Sequence, residues 1–195
     1  MMRIKKGGVY ILLFLPALIF LIGPAAFDLL EKRPIKTLLV NSGYCALGIL
    51  ALSLLLAPLS KHVPKIKLFK GLNQRRRIIG ISVFIYASFH LSCVMIKTYL
   101  KYGRIPLEYF LKPMVYTGLF AYIIFLALTI TSNDYSIRTL GYKAWKWIHR
   151  FVYAAEILIF FHVFQKSPLL SIVIFAPLIL TQILRFRKGA LSNRH

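Results

Sequence analysis

The sequence predicts an all-α integral membrane protein, a six-transmembrane-helix bundle with both termini in the cytoplasm. Three observations carry that expectation. Hydrophobic residues fill 58% of the 195 positions and charged residues only 16%, against the ~25% charge usual in a soluble domain. Mean hydropathy is +0.70. The apolar residues also gather into six runs, and six helices of about 20 residues would use nearly all of them. A soluble globular domain is excluded, and an appended catalytic domain of ~100 residues has no place among these residues.

The runs, in chain order, are Val9–Phe27, Thr37–Leu59, Ile78–Ile96, Met114–Thr131, Ile148–Phe164 and Pro168–Leu184. Each has about the length that crosses a bilayer. Backbone polar groups in hydrocarbon need internal partners, so each run is expected to be a helix. The first follows Arg3, Lys5 and Lys6, and Pro24-Ala25-Ala26 loosely resembles the end of a signal peptide. It is nevertheless longer than the ~7–15 residues of a signal core, so a retained helix is expected. No repeat, low-complexity stretch or second domain interrupts the series.

Basic residues set the expected orientation. Eighteen lie at the N-terminus, in the second and fourth loops and in the tail; eight lie in the first, third and fifth loops. The larger group belongs in the cytoplasm. Trp145 and Trp147 then fit a cytoplasmic interfacial belt, and Tyr99, Tyr102 and Tyr109 an outer one. The net charge of +21 would suggest nucleic acid in a soluble chain. Here topology and the anionic headgroups of the lipid bilayer account for it, and no nucleic acid is expected. Cys45 and Cys93 lie inside apolar runs, which argues against a disulfide framework. Neither belongs to a C-x-x-C-H motif, so any haem would be held non-covalently.

Polar side chains within a membrane are costly and are functional candidates by default. They are His90, His149, Glu156 and His162, whereas His62 and His195 fall in a basic loop and the tail. The third helix starts near Arg77, and His90 follows 13 residues later. His162 follows His149 by the same interval in the fifth helix, which runs in the same direction. At ~1.5 Å per residue both sit about 20 Å from the cytoplasmic side, level with one another. Two level imidazoles can clamp a haem iron from opposite sides. They can equally hydrogen-bond neighbouring helices, or bind zinc or copper, and the residues alone leave these readings open.

Thirteen residues also turn an ideal helix so that His149 and His162 point about 140° apart. A shared face would need local distortion, a tilt or ligation of different partners, while the ~20 Å depth difference puts His149 at a cytoplasmic-side site. Arg77, level with it, keeps its proton and makes a poor iron ligand. Arg77 and Arg150 are instead candidate contacts for haem propionates. Glu156, about 20° from the His149 face, is a candidate for proton uptake or a quinone pocket. The bland alternative is a protonated carboxyl bonded across the bundle. The chain carries no G-x-G-x-x-G or Walker loop, hence no nicotinamide-binding domain. Electrons would arrive from a separate flavoprotein or a membrane quinol and leave to another protein.

Several stretches point to a known family. They are Arg75-Arg76-Arg77-Ile78-Ile79-Gly80 with Tyr86 and Phe89-His90, and Lys112-Pro113 with Tyr116-Thr117-Gly118. Further on come Leu128-Thr129-Ile130-Thr131-Ser132 and Ile137-Arg138-Thr139-Leu140-Gly141. The densest match, Trp145-Lys146-Trp147-Ile148-His149-Arg150-Phe151-Val152-Tyr153, is followed by Phe161-His162. From about Gly23 to Arg185 the chain resembles the MsrQ family of the ferric-reductase-like transmembrane superfamily. The resemblance implies a single domain over 1–195 binding haem b (one or two), with His90, His149 and His162 matching the ligand histidines. In that reading His90 and His162 hold an outer haem iron and His149 an inner one. It also implies a flavin mononucleotide (FMN) and location in the bacterial inner membrane. Electrons would pass from quinol or a cytoplasmic flavin reductase to a periplasmic molybdopterin methionine sulfoxide reductase (MsrP-like) that repairs oxidised envelope proteins. Glu156 stands where the family usually has a small apolar residue, and the second loop is longer and more basic. The alternatives are a stand-alone ferric reductase and a metal permease.

Overall fold

The computed structural model of the protein describes residues 13–14, 34–63 and 65–192, with the backbone alone at 34, 62 and 184–192. Every regular element among them is helical. They are α1 (Pro34–His62), α2 (Lys67–Asn73), α3 (Arg76–Tyr102), a 3-10 turn (Leu107–Leu111), α4 (Pro113–Ile130), α5 (Asp134–His149), α6 (Phe151–Phe164) and α7 (Pro168–Ser192). The second to sixth expected runs become α1, α3, α4, α6 and α7. The first lies outside the described residues apart from Leu13 and Phe14, which are helical.

Four helical segments, Ile35–Lys61, Arg76–Tyr102, Pro113–Ile130 and Asp134–Phe164, are long and apolar enough to cross a membrane; Pro168–Ile183 is a shorter apolar helix. Their outward faces carry large apolar side chains such as Phe120, Ile123, Ile157, Phe161 and Ile172, all exposed. A contiguous exposed surface of this kind is unfavourable in water, but in a bilayer the solvent is itself hydrocarbon. The protein is a multi-pass membrane protein.

Two helix pairs organise the bundle. α1 packs chiefly on α3, α4 chiefly on α6, α3 touches α4, and α7 lies against α6 and α1. Leu54, Leu56, Ile79, Val83 and Phe175 are among the buried core residues. The Tyr86 hydroxyl donates to the Leu13 carbonyl at 2.5 Å, anchoring α3 to the first run. The third and fifth expected helices, α3 and α6, face one another across a cavity, each packed on a partner.

Other differences have local causes. α3 continues past Ile96 to Tyr102, where Gly103 adopts φ 68° and donates its N–H to Tyr99 O at 2.8 Å. Glycine ends helices this way because the left-handed conformation costs it nothing sterically. Residues 134–147, expected to be a cytoplasmic loop, instead form the amphipathic α5 together with Ile148 and His149. Asn133 caps it by accepting the Ser136 N–H at 2.7 Å, and Gly141, at φ 76° and ψ 150°, kinks it. Tyr135, Tyr142 and Trp147 are exposed along it, while Trp145 donates to Thr131 O at 2.9 Å. A charged helix with an aromatic face suits the membrane interface. The fifth span accordingly starts at Phe151, and His149 closes the helix before it.

Candidate functional site

His90 projects from the middle of α3 and His162 from the last turn of α6. Equal helix rise from equal starting points brings them level. Their imidazole centres lie 6.3 Å apart with ring planes at 83°. Both line an open cavity of about 400 Å³ between the helix pairs, within the range of cofactor and small-molecule sites.

Each ring is held in the same way. His90 Nδ1 lies 2.9 Å from the Leu39 carbonyl oxygen on α1. His162 Nδ1 lies 2.7 Å from the Met114 carbonyl oxygen on α4. A carbonyl can only accept, so both Nδ1 atoms carry the proton and both Nε2 atoms keep a free lone pair. The Ser42 hydroxyl lies 3.3 Å from His90 Nδ1 and itself donates to Leu39 O at 3.0 Å. Outer hydrogen bonds of this kind fix the tautomer and ring orientation of metal-ligating histidines.

The close approach of ring to helix needs glycine. Four residues after each accepting carbonyl stands one, Gly43 after Leu39 and Gly118 after Met114. A Cβ on Gly43 would lie 3.1 Å from His90 Cε1, and one on Gly118 would lie 2.7 Å from His162 Nδ1. The missing side chains are thus the seats of the two rings. Sequence reasoning overlooked both seats. The available signal was a lone glycine inside an apolar helix, where alanine would be favoured by ~1 kcal/mol.

The arrangement suits an iron in a porphyrin. Two iron–nitrogen bonds of ~2.0 Å on a common axis, with the ring radii added, place ring centres roughly 6.5 Å apart. Two neutral imidazoles with committed Nδ1 protons, seated on glycines beside an apolar cavity, meet that requirement. Among the described residues no group of three or more His, Cys, Asp or Glu side chains is placed to hold a metal ion.

The other candidates lie elsewhere. His149 does not line the cavity. Its ring packs 4.2 Å from that of Trp145, and its Nε2 is 3.2 Å from Thr131 Oγ1. Arg77 pairs with Asp134 at 2.8 Å, and Arg150 is exposed between α5 and α6. Glu156 is buried, and the Gln182 amide of α7 donates to its two carboxylate oxygens at 3.0 and 2.8 Å. The structure therefore brings His90 and His162 together and leaves His149, Glu156, Arg77 and Arg150 outside their cavity.

Residues 42–160 match the family described as ferric reductase like transmembrane component. Over 186 residues the chain is 31% identical to a protein-methionine-sulfoxide reductase heme-binding subunit, MsrQ, of Azospira oryzae, covering 93% of this chain and 77% of the relative. It is 32% identical over 167 residues to the subunit of the same name from Salmonella paratyphi B, covering 82% and 80% respectively. No solved structure matches the chain significantly.

Proposed function

The chain belongs to the ferric-reductase-like transmembrane family, and within it to the MsrQ heme-binding subunits; from that premise we propose that it is a transmembrane electron conduit holding haem b between His90 and His162. The carrying observation is the pair of imidazoles 6.3 Å apart across the cavity, each with its Nδ1 proton committed to a backbone carbonyl. When bound there, haem supplies a one-electron ferric/ferrous couple.

The chain's own residues determine how that couple is used. His90 and His162 would hold the haem through their two imidazole nitrogens, a ligand set that suits electron transfer rather than chemistry on a substrate. The Leu39 and Met114 carbonyls hold the Nδ1 protons, which leaves each Nε2 lone pair free and makes the rings more basic. Orientation follows from the basic residues: the Arg77 end of the bundle faces the cytoplasm and the Lys166 end the periplasm.

In this reading the membrane is the bacterial inner membrane. The acceptor is a periplasmic molybdopterin methionine sulfoxide reductase, and the donor is quinol or a cytoplasmic flavin reductase. His149 belongs to the donor side, a helix length (~20 Å by rise) from the haem pair. Around it stand Trp145, Thr131 and the Arg77–Asp134 pair, a setting for donor coupling or a singly ligated second haem. FMN, if carried, belongs on that side too. Glu156 and Gln182 form a buried polar link between α6 and α7.

The test is a dithionite-reduced spectrum of purified protein with haem quantified per chain. Soret and α bands with one low-spin haem lost in His90→Ala and in His162→Ala support the reading. A protein without haem after haem-sufficient expression contradicts it. Reduction of an external ferric chelate without any partner would favour a stand-alone ferric reductase.

A further inference from the structure

The cavity is chemically lopsided. Toward the Arg77 end its lining is Leu47, Leu50, Val83, Phe125 and Ile159, with one polar group, the Tyr122 hydroxyl, placed 3.3 Å from Ser88 Oγ. The charged residues lining it, among those described, are Lys97 and Lys166, both on the opposite side of the histidines. Lys97 follows His90 by seven residues, two turns of α3, and returns to within about 20° of the same face. Lys166 follows His162 by four and lies in the turn just past the end of α6, its N–H bonded to Val163 O at 3.0 Å. Both lysines thus line the cavity on the far side of the histidines from Arg77, Lys97 roughly 10 Å further along α3 by helix rise.

Two neighbouring cations at this end are engaged. The Lys101 ammonium lies over the Tyr102 ring at 4.9 Å and that of Lys112 over Tyr109 at 5.1 Å. No such contact or ion pair is described for Lys97 or Lys166. Arg77, the sequence-based candidate, is paired with Asp134 and outside the cavity.

We propose that Lys97 and Lys166 bind the two haem propionates, so that the carboxylate edge of the macrocycle faces the Lys166 end of the bundle and its apolar edge is buried among Leu50, Val83 and Phe125. This rests on the haem assignment above. A porphyrin held by two axial nitrogens can still rotate about their axis, and its two carboxylates are its only anionic groups. Turned toward the Arg77 end they would be buried against hydrocarbon without a charged partner, a costly arrangement. Turned the other way they meet two flexible ammonium groups whose stems cover apolar surface.

The experiment uses full-length protein expressed without haem and purified in detergent. It is titrated with iron protoporphyrin IX and with the dimethyl ester of the same porphyrin, which lacks the negative charges. Wild type should bind the free acid about tenfold more tightly, the scale of a pair of solvent-screened charge-assisted contacts. In K97Q/K166Q that preference should fall to within about twofold while either porphyrin still gives a six-coordinate low-spin spectrum. K97R/K166R and R77Q/R150Q should both keep the wild-type preference. Full preference in K97Q/K166Q, its loss in R77Q/R150Q, or none in wild type would overturn the proposal. Failure of both porphyrins to give a low-spin complex with wild type would instead bring down the haem assignment itself.

Discussion

Replacing Gly118 by alanine adds one methyl group at the point where the structure leaves least room. The new Cβ would lie 2.7 Å from His162 Nδ1 and 2.8 Å from Cε1, and ordinary van der Waals contact begins near 3.4 Å. The hydrogen bond to Met114, already 2.7 Å long, runs past the same spot, so the ring must retreat and stretch it. Overpacking of this kind costs about 1–3 kcal/mol. In the haem-free protein the ring can swing into the open cavity and escape the clash. The penalty therefore falls on haem binding, as a loss of roughly 5- to 150-fold in affinity. Helix propensity acts the other way on folding, since alanine is favoured over glycine by ~1 kcal/mol. The assay is haem titration of apo-protein with thermal unfolding measured alongside. Gly43→Ala, whose nearest ring atom is at 3.1 Å, should lose less than Gly118→Ala; Gly48→Ala, with nothing within 4 Å, should lose nothing. Unchanged affinity and spectrum in Gly118→Ala, or an effect as large in Gly48→Ala, would refute the idea that glycines seat the rings.

Two further outcomes follow. Gln182→Ala leaves the buried Glu156 carboxyl without its described partner and should cost about 1–3 kcal/mol in unfolding measurements; the Glu156→Leu/Gln182→Leu double should recover part of it, and neither should move the haem spectrum. His149→Ala should keep the low-spin haem of the His90/His162 pair while slowing its reduction by the native donor in membranes, read by stopped-flow absorbance.

The parts of this site legible in the sequence are those set by helix rise. His90 and His162 could be placed level because backbone hydrogen bonding fixes the advance per residue whatever the neighbours are. The angular mismatch of His149 was legible for the same reason, and the structure leaves it out of the cavity. What rings and cavities touch depends on which helices pack, and periodicity carries no such information. Hence Leu39, Gly43, Met114 and Gly118 went unnoticed as supports, and Lys97 and Lys166 were seen only as topology signals. The amphipathic α5 was missed because its charges give it the hydropathy of a loop. Its Asn133 cap was the readable sign of a helix start. The end of α3 was likewise written in Gly103 rather than in where the apolar run stops.

The proposed haem site sets its two imidazoles nearly perpendicular, their planes 83° apart. Low-temperature EPR of the oxidised protein tests it most directly. Perpendicular imidazoles donate into different iron orbitals and leave that orbital pair nearly degenerate, so a haem held there should give a low-spin signal with one strongly displaced g value. That signal should vanish in His90→Ala and in His162→Ala and persist in His149→Ala. A high-spin wild-type signal, or loss of the low-spin one in a folded His149→Ala protein, would contradict it.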